Sequence, residues 1–206
     1  MKLLLLFLFL AGGPLARAAE FPAFESDAAA DTWLRANSEY YRTMATAVDH
    51  RTGYSFRTAK NLSGGVVTWE KDKPVIVLSS ALTGAHRVSV LIFELTNCFQ
   101  APQHQEVDRS ARTGKIKTAR EFGVLHEIVE LDGLRHHRRV LEELDAAMHG
   151  IPVDMFRWVS SNSEDFTKLD DYQLPYAFDY VKAQEASGHT QQYYEWFPRQ
   201  ARGGKK

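Results

Sequence analysis

Two periods of apolar residue alternate along this 206-residue chain, and each change of period marks an element. Over residues 26–50, Trp33, Tyr40, Tyr41, Met44 and Val48 recur at three- and four-residue steps. That spacing predicts a helix, with Ser26 or Asp27 as its cap and Gly53 as its end. Residues 51–60 lose the period and read as a loop or irregular strand. Gly65-Val66-Val67-Thr68-Trp69-Glu70 is rich in β-branched and aromatic residues, and so is the more apolar stretch of residues 74–79. The polar turn Lys71-Asp72-Lys73 between them makes the pair a hairpin whose second strand is buried.

The helical period then returns. Thr83-Gly84 opens a helix that should stop near Phe99, because the residue before Pro102 is steered away from helical geometry. Residues 103–114 are polar and read as an exposed loop. Val124, Ile128, Leu131, Leu134, Leu141, Leu144 and Met148 form one stripe over residues 116–148. This is a long helix with a break expected at Gly133 and an end at Gly150-Ile151-Pro152. Shorter helices are expected around Phe156 and Trp158, over residues 176–182 and over residues 191–197. The fold class that follows is α+β and mainly helical, with a small β-hairpin or sheet beside a buried central helix.

The ends of the chain read differently. Lys2, the apolar run of residues 3–11 and the small-x-small pattern Ala16-Arg17-Ala18 form a signal peptide over residues 1–18. The run is about half of what a bilayer span needs, so no stable membrane insertion is expected after cleavage. The remaining 19–206 form one domain, with 199–206 as a flexible tail, exported to a periplasmic or extracellular location. The whole chain has 25 basic and 26 acidic side chains; losing Lys2 and Arg17 with the leader takes its net charge from −1 to −3. That excludes the basic footprint of a nucleic-acid partner. Cys98 is the single cysteine, so no intrachain disulfide forms, and beside an apolar helix it reads as a buried, inert thiol.

The chemistry concentrates on the helix after the hairpin. Val88, Val90, Leu91, Ile92, Phe93, Leu95 and Phe99 make it apolar on nearly every side, as in a helix buried at the centre of its domain. Glu94 is the carboxylate such a helix must accommodate, by partners or by a raised pKa. Phe93-Glu94-Leu95-Thr96-Asn97, preceded by an apolar strand and a short loop, resembles the active-site helix of zincin metallopeptidases. Those carry His-Glu-x-x-His, with two zinc-binding histidines and a glutamate that activates water. The resemblance covers roughly residues 65–99. It implies a zincin-like domain in which Glu94 stands at the catalytic position and Phe93 and Asn97 at the two degenerate ligand positions. A third ligand, frequently a glutamate, would come from the next helix, where Glu121, Glu127 and Glu130 lie.

Phe93 cannot ligate a metal and a carboxamide at Asn97 is a poor substitute for imidazole, so the resemblance implies a pseudoenzyme with no cofactor. The function expected is that of a binding or accessory factor for a protein or peptide. One alternative is a metal-dependent hydrolase with zinc in a rearranged site built from Glu94, Glu121, His126 and Glu130. His126, Glu130 and His137, at i, i+4 and i+11, can share one face of the long helix and, with Glu94 or Glu121, build a replacement metal site, although a solvated histidine face is the plainer reading. Another alternative is a helical structural or oligomer-forming protein, which would have no pocket at Glu94. Tyr172, Tyr176, Tyr180, Tyr193, Tyr194, Trp196 and Phe197 either seal the C-terminal helices or line a groove. Arg138 with Glu142, and Arg139 with Glu143, read as i, i+4 pairs on a wet face.

Overall fold

In the computed structural model, residues 21–148, 150–152, 155 and 177–202 are described. The expected signal peptide, the helix expected around Phe156 and Trp158, and Tyr172 and Tyr176 lie outside them. Helices dominate, with one small sheet, in the order α1 (Asp27–Asn37), α2 (Glu39–Arg51), β1 (Ser55–Ala59), β2 (Gly65–Glu70), β3 (Lys73–Ser79), α3 (Gly84–Arg112), α4 (Ala119–Met148), α5 (Ala177–Ser187) and α6 (Gln191–Arg202). Because α6 includes residues 199–202, that part of the expected tail is helical.

The sheet order is β1-β3-β2, with β3 parallel to β1 and antiparallel to β2. Glu70 faces Lys73 across a two-residue turn in which Lys71 and Asp72 both take positive φ, the geometry that matches strand twist. The central strand is buried from Pro74 to Ser79, as the apolar run demands, and β2 is an edge with Val66 and Trp69 exposed. Residues 55–59, read as irregular, become a strand because β3 offers them a partner edge.

The single helix expected over residues 26–50 is two. Ser38 leaves helical geometry, its hydroxyl accepts the Tyr41 N–H at 3.0 Å and donates to Glu143 of α4 at 2.7 Å. A side chain that can both cap α2 and reach α4 makes the break favourable. Glu143 also accepts the Tyr40 N–H at 2.9 Å, while Arg139 lies over the Tyr40 ring, so the expected wet-face pairing of these two residues gives way to tertiary contacts. Arg138 does pair with Glu142, at 2.8 Å.

The largest departure is at Pro102, which lies inside α3 rather than beyond it. Proline removes the N–H that would bond the Cys98 carbonyl four residues back. Arg51 fills that gap from α2: its Nη2 donates to Cys98 O at 2.6 Å. The helix therefore continues through residues 103–112, the segment expected to be a loop. Likewise Gly133 does not break α4. A Cβ there would sit 2.6 Å from Gln100 Oε1 and 3.2 Å from Thr96 Oγ1, so the glycine lets α3 pack closely on α4 at this point.

The main core joins α1–α4 and β3 through residues such as Leu34, Tyr41, Met44, Ile76, Leu91, Leu95 and Leu141. Phe122 and Tyr193 centre a smaller cluster between α4 and α6, and Leu131 and Tyr180 another between α4 and α5. Thus Tyr180 and Tyr193 seal the C-terminal helices, whereas Trp196 is half exposed. Cys98 is fully buried, and burial first, then Glu94, pushes its thiol up to about 12.

Candidate functional site: a carboxyl-floored pocket

Beside β2 and between α3, α4 and α6 lies a pocket of about 860 Å³. Phe93, Glu94 and Asn97 line it from α3, as do His104 and Asp108 beyond Pro102. His126 and Glu130 face it from α4, His189 from the α5–α6 turn, Tyr193 and Trp196 from α6, and Val66, Val67 and Trp69 from β2. A concave site therefore does open at Glu94, contrary to what a purely structural helical protein would present.

Glu94 is 4% exposed, and its Oε2 accepts from Asn97 Nδ2 at 3.2 Å. Burial raises its carboxyl to about 8, the hydrogen bond from Asn97 opposes the rise, and the charge of Glu130 adds to it. At neutral pH the group is therefore mainly a neutral acid, able to donate a proton or a hydrogen bond. Gly65 passes so close that a Cβ on it would lie 2.7 Å from Glu94 Cγ, Glu94 Oε1 and Val90 Cγ1. A side chain at this position would press on the carboxyl.

His126 does not belong to a solvated face. It is 1% exposed, with the Tyr193 ring parallel to it at 4.6 Å and 4°, the Phe122 ring T-shaped to it at a centroid distance of 4.4 Å, and the His104 ring beside it at 5.0 Å and 14°. Its Nδ1 meets His104 Nδ1 at 2.7 Å, so one of the two donates and the other accepts. Its Nε2 lies 3.4 Å from Asp108 Oδ1; both atoms are buried and neither makes a hydrogen bond. Burial, then the neighbouring His126, lowers His104 to about 4.

The remaining candidates separate. Glu130 accepts a short hydrogen bond from the Tyr193 hydroxyl, and its carboxyl is raised by burial first, with His189 opposing and Glu127 adding to the rise. Glu121 stands apart: it is exposed at the start of α4, where Oε2 accepts the Lys117 N–H at 3.1 Å and Thr118 Oγ1 caps the Glu121 N–H at 3.1 Å. This is capping chemistry, so Glu121 drops out of the rearranged site. His137 is also lost to it. The side chain is buried behind α3, with Nε2 2.9 Å from Ser89 Oγ and 3.1 Å from Ser89 O, and burial lowers it to about 4.

Three pocket residues carried no sequence signal of their own. His104 and Asp108, an i, i+4 pair, were hidden by the expectation that α3 ends before Pro102. His189 follows Gly188, whose φ of +83 turns the chain between α5 and α6, and it reaches Glu127 Oε1 with Nδ1 at 2.9 Å.

The class defined by this architecture is an α+β, mainly helical protein with an acid- and histidine-lined pocket. Neither family models, nor curated proteins, nor solved structures give a match to this chain.

Proposed function

We propose that this chain is an exported, catalytically inactive zincin-like protein that binds an extended peptide segment of a partner in the pocket beside β2. The observation that carries the reading is Glu94: a buried, neutral carboxyl on the pocket floor, with Phe93 and Asn97 where a metallopeptidase would hold its histidines. A neutral carboxyl and a carboxamide offer both hydrogen-bond donors and acceptors to a peptide amide. The edge position of β2 supports strand addition, and Trp69 and Trp196, 46% and 48% exposed, provide apolar walls for alternate side chains.

The test is selection of random-sequence peptides on the immobilised full chain, followed by fluorescence titration of those enriched. Peptides that bind the wild-type protein and lose about tenfold or more in Trp69→Ala and Glu94→Ala support the reading, as expected for residues at the centre of a binding site. Enriched peptides whose affinity ignores both substitutions reject it.

A second reading, a metal-dependent hydrolase with a rearranged site, draws support from Glu94, His126 and Glu130 lining the same pocket. In it Glu94, protonated at neutral pH, would serve as general acid. Zinc-dependent turnover of a fluorogenic peptide, abolished in Glu94→Gln, would replace the first reading with this one.

A further inference from the structure

Behind the pocket wall, α4 places Glu127 and Glu130 three residues apart on one face, and the α5–α6 turn brings His189 across them. One donor atom from each of the three lies within 4.8 Å of the others. We propose that Glu127, Glu130 and His189 form a site for one divalent first-row metal ion of the zinc or manganese type, open toward the pocket. The position is separate from the ancestral zincin one, because it uses neither residue 93 nor residue 97.

Three observations support it. Two carboxylates and one imidazole are a borderline donor set, suited to zinc and manganese and poorly suited to a soft ion. Glu127 is 0% exposed and its Oε2 has no hydrogen-bond partner, although a buried carboxylate oxygen is costly without a positive or donating group beside it. Finally, Glu130 and His189 line the pocket, leaving the outward side of an ion for water or a ligand, as in an open site.

The geometry is near to closed. Donors bound to one ion at about 2.1 Å stand at most about 4.2 Å apart, so bringing the group to that limit takes a contraction of no more than about 0.6 Å. Only one ring nitrogen of His189 would bind the ion: Nδ1 lies 2.9 Å from Glu127 Oε1, in a hydrogen bond that the ion would replace, while Nε2 lies 3.9 Å from Glu130 Oε2 and 3.0 Å from Gln192 Nε2. His189 is a turn residue, 27% exposed, so the movement falls on the most accessible member. Binding requires the neutral imidazole and therefore weakens as pH falls.

Titration of the purified full chain with Zn²⁺ and with Mn²⁺, followed by calorimetry, tests the site. One equivalent is expected, with affinity falling at least about tenfold in His189→Gln, Glu130→Gln and Glu127→Gln. Cobalt substitution should give a visible absorption band that His189→Gln abolishes. Should a variant fail to fold, ¹⁵N imidazole spectra of the wild-type chain decide: zinc must shift His189. Absence of stoichiometric uptake, uptake that survives the substitutions, or a shift confined to His104 and His126 overturns the proposal. Trp69 donates to no metal, so loss of peptide binding in Trp69→Ala leaves this titration unchanged and the two readings fail separately.

Discussion

Glu94 carries the clearest residue-scale consequence. Its carboxyl ionises near 8 when folded and near 4.5 in the unfolded chain. Below 4.5 both states hold the proton and the neutral group costs nothing. Between 4.5 and 8 only the unfolded chain ionises, so stability falls as pH rises. Glu94→Gln removes that loss and should make the protein more stable than wild type at pH 8, by on the order of 3 to 5 kcal/mol, while changing little at pH 4.5. Urea midpoints at the two pH values check this; equal wild-type and variant slopes with pH would refute it. Gly65→Ala should act oppositely, costing about 1–3 kcal/mol at any pH, since Val90 is short and stiff and Glu94 is already confined. The legible part here was Glu94 itself: a carboxylate on an all-apolar helix must be unusual. That Gly65 is the surface it presses against came only from the fold, because no local pattern pairs residue 65 with residue 94.

Among the elements, α3 shows how tertiary contact overrides a local rule. Proline at 102 should end the helix, and it does remove a hydrogen bond, but Arg51 of α2 supplies the lost donor to Cys98 O. Arg51→Ala should therefore cost about 1–2 kcal/mol, the penalty of a part-buried carbonyl left unpaired. The effect should shrink in a Pro102→Ala background, where the restored N–H satisfies Cys98 O from within the helix. A double-mutant cycle by chemical denaturation measures this, and additive costs would show that Arg51 acts elsewhere. The same override decides half the pocket. With α3 ended at 101, His104 and Asp108 belong to a loop; with α3 continued, they stand one turn apart facing His126. The α4 residues His126 and Glu130 were legible as a pair from their spacing. His137 shared that spacing only in part, and its burial against Ser89 reflects a neighbour, α3, that helical period cannot reveal.

For the whole molecule, buried titratable groups oppose one another across the pH scale. His104 and His137 are held near 4, so the folded state keeps them neutral while the unfolded chain takes up protons near 6.5. Their contribution is complete above 6.5 and is lost as pH falls through 4, by roughly 3 kcal/mol each. Glu94 acts in the other direction above 4.5, and Glu130, also raised, adds to it. Thermal midpoints should therefore peak between about pH 5.5 and 7 and decline on both sides. A midpoint that rises steadily to pH 9 would contradict the burial of Glu94. Among the described residues no helix is long and apolar enough to cross a membrane.

By itself, the sequence determined the class of the fold, the hairpin, the buried helix and the identity of the carboxylate within its apolar stretch. Each is encoded by period and composition within a window of some thirty residues. Only the tertiary structure decided where helices stop, which histidines are buried, and which side chains share a pocket. Those outcomes depend on contacts between positions far apart in the chain: Arg51 with Cys98, Ser38 with Glu143, Gly65 with Glu94, Glu127 with His189. A helix ends or continues according to whether its free carbonyls find donors. A titratable group is exposed or buried according to what packs on it, and neither condition is written locally.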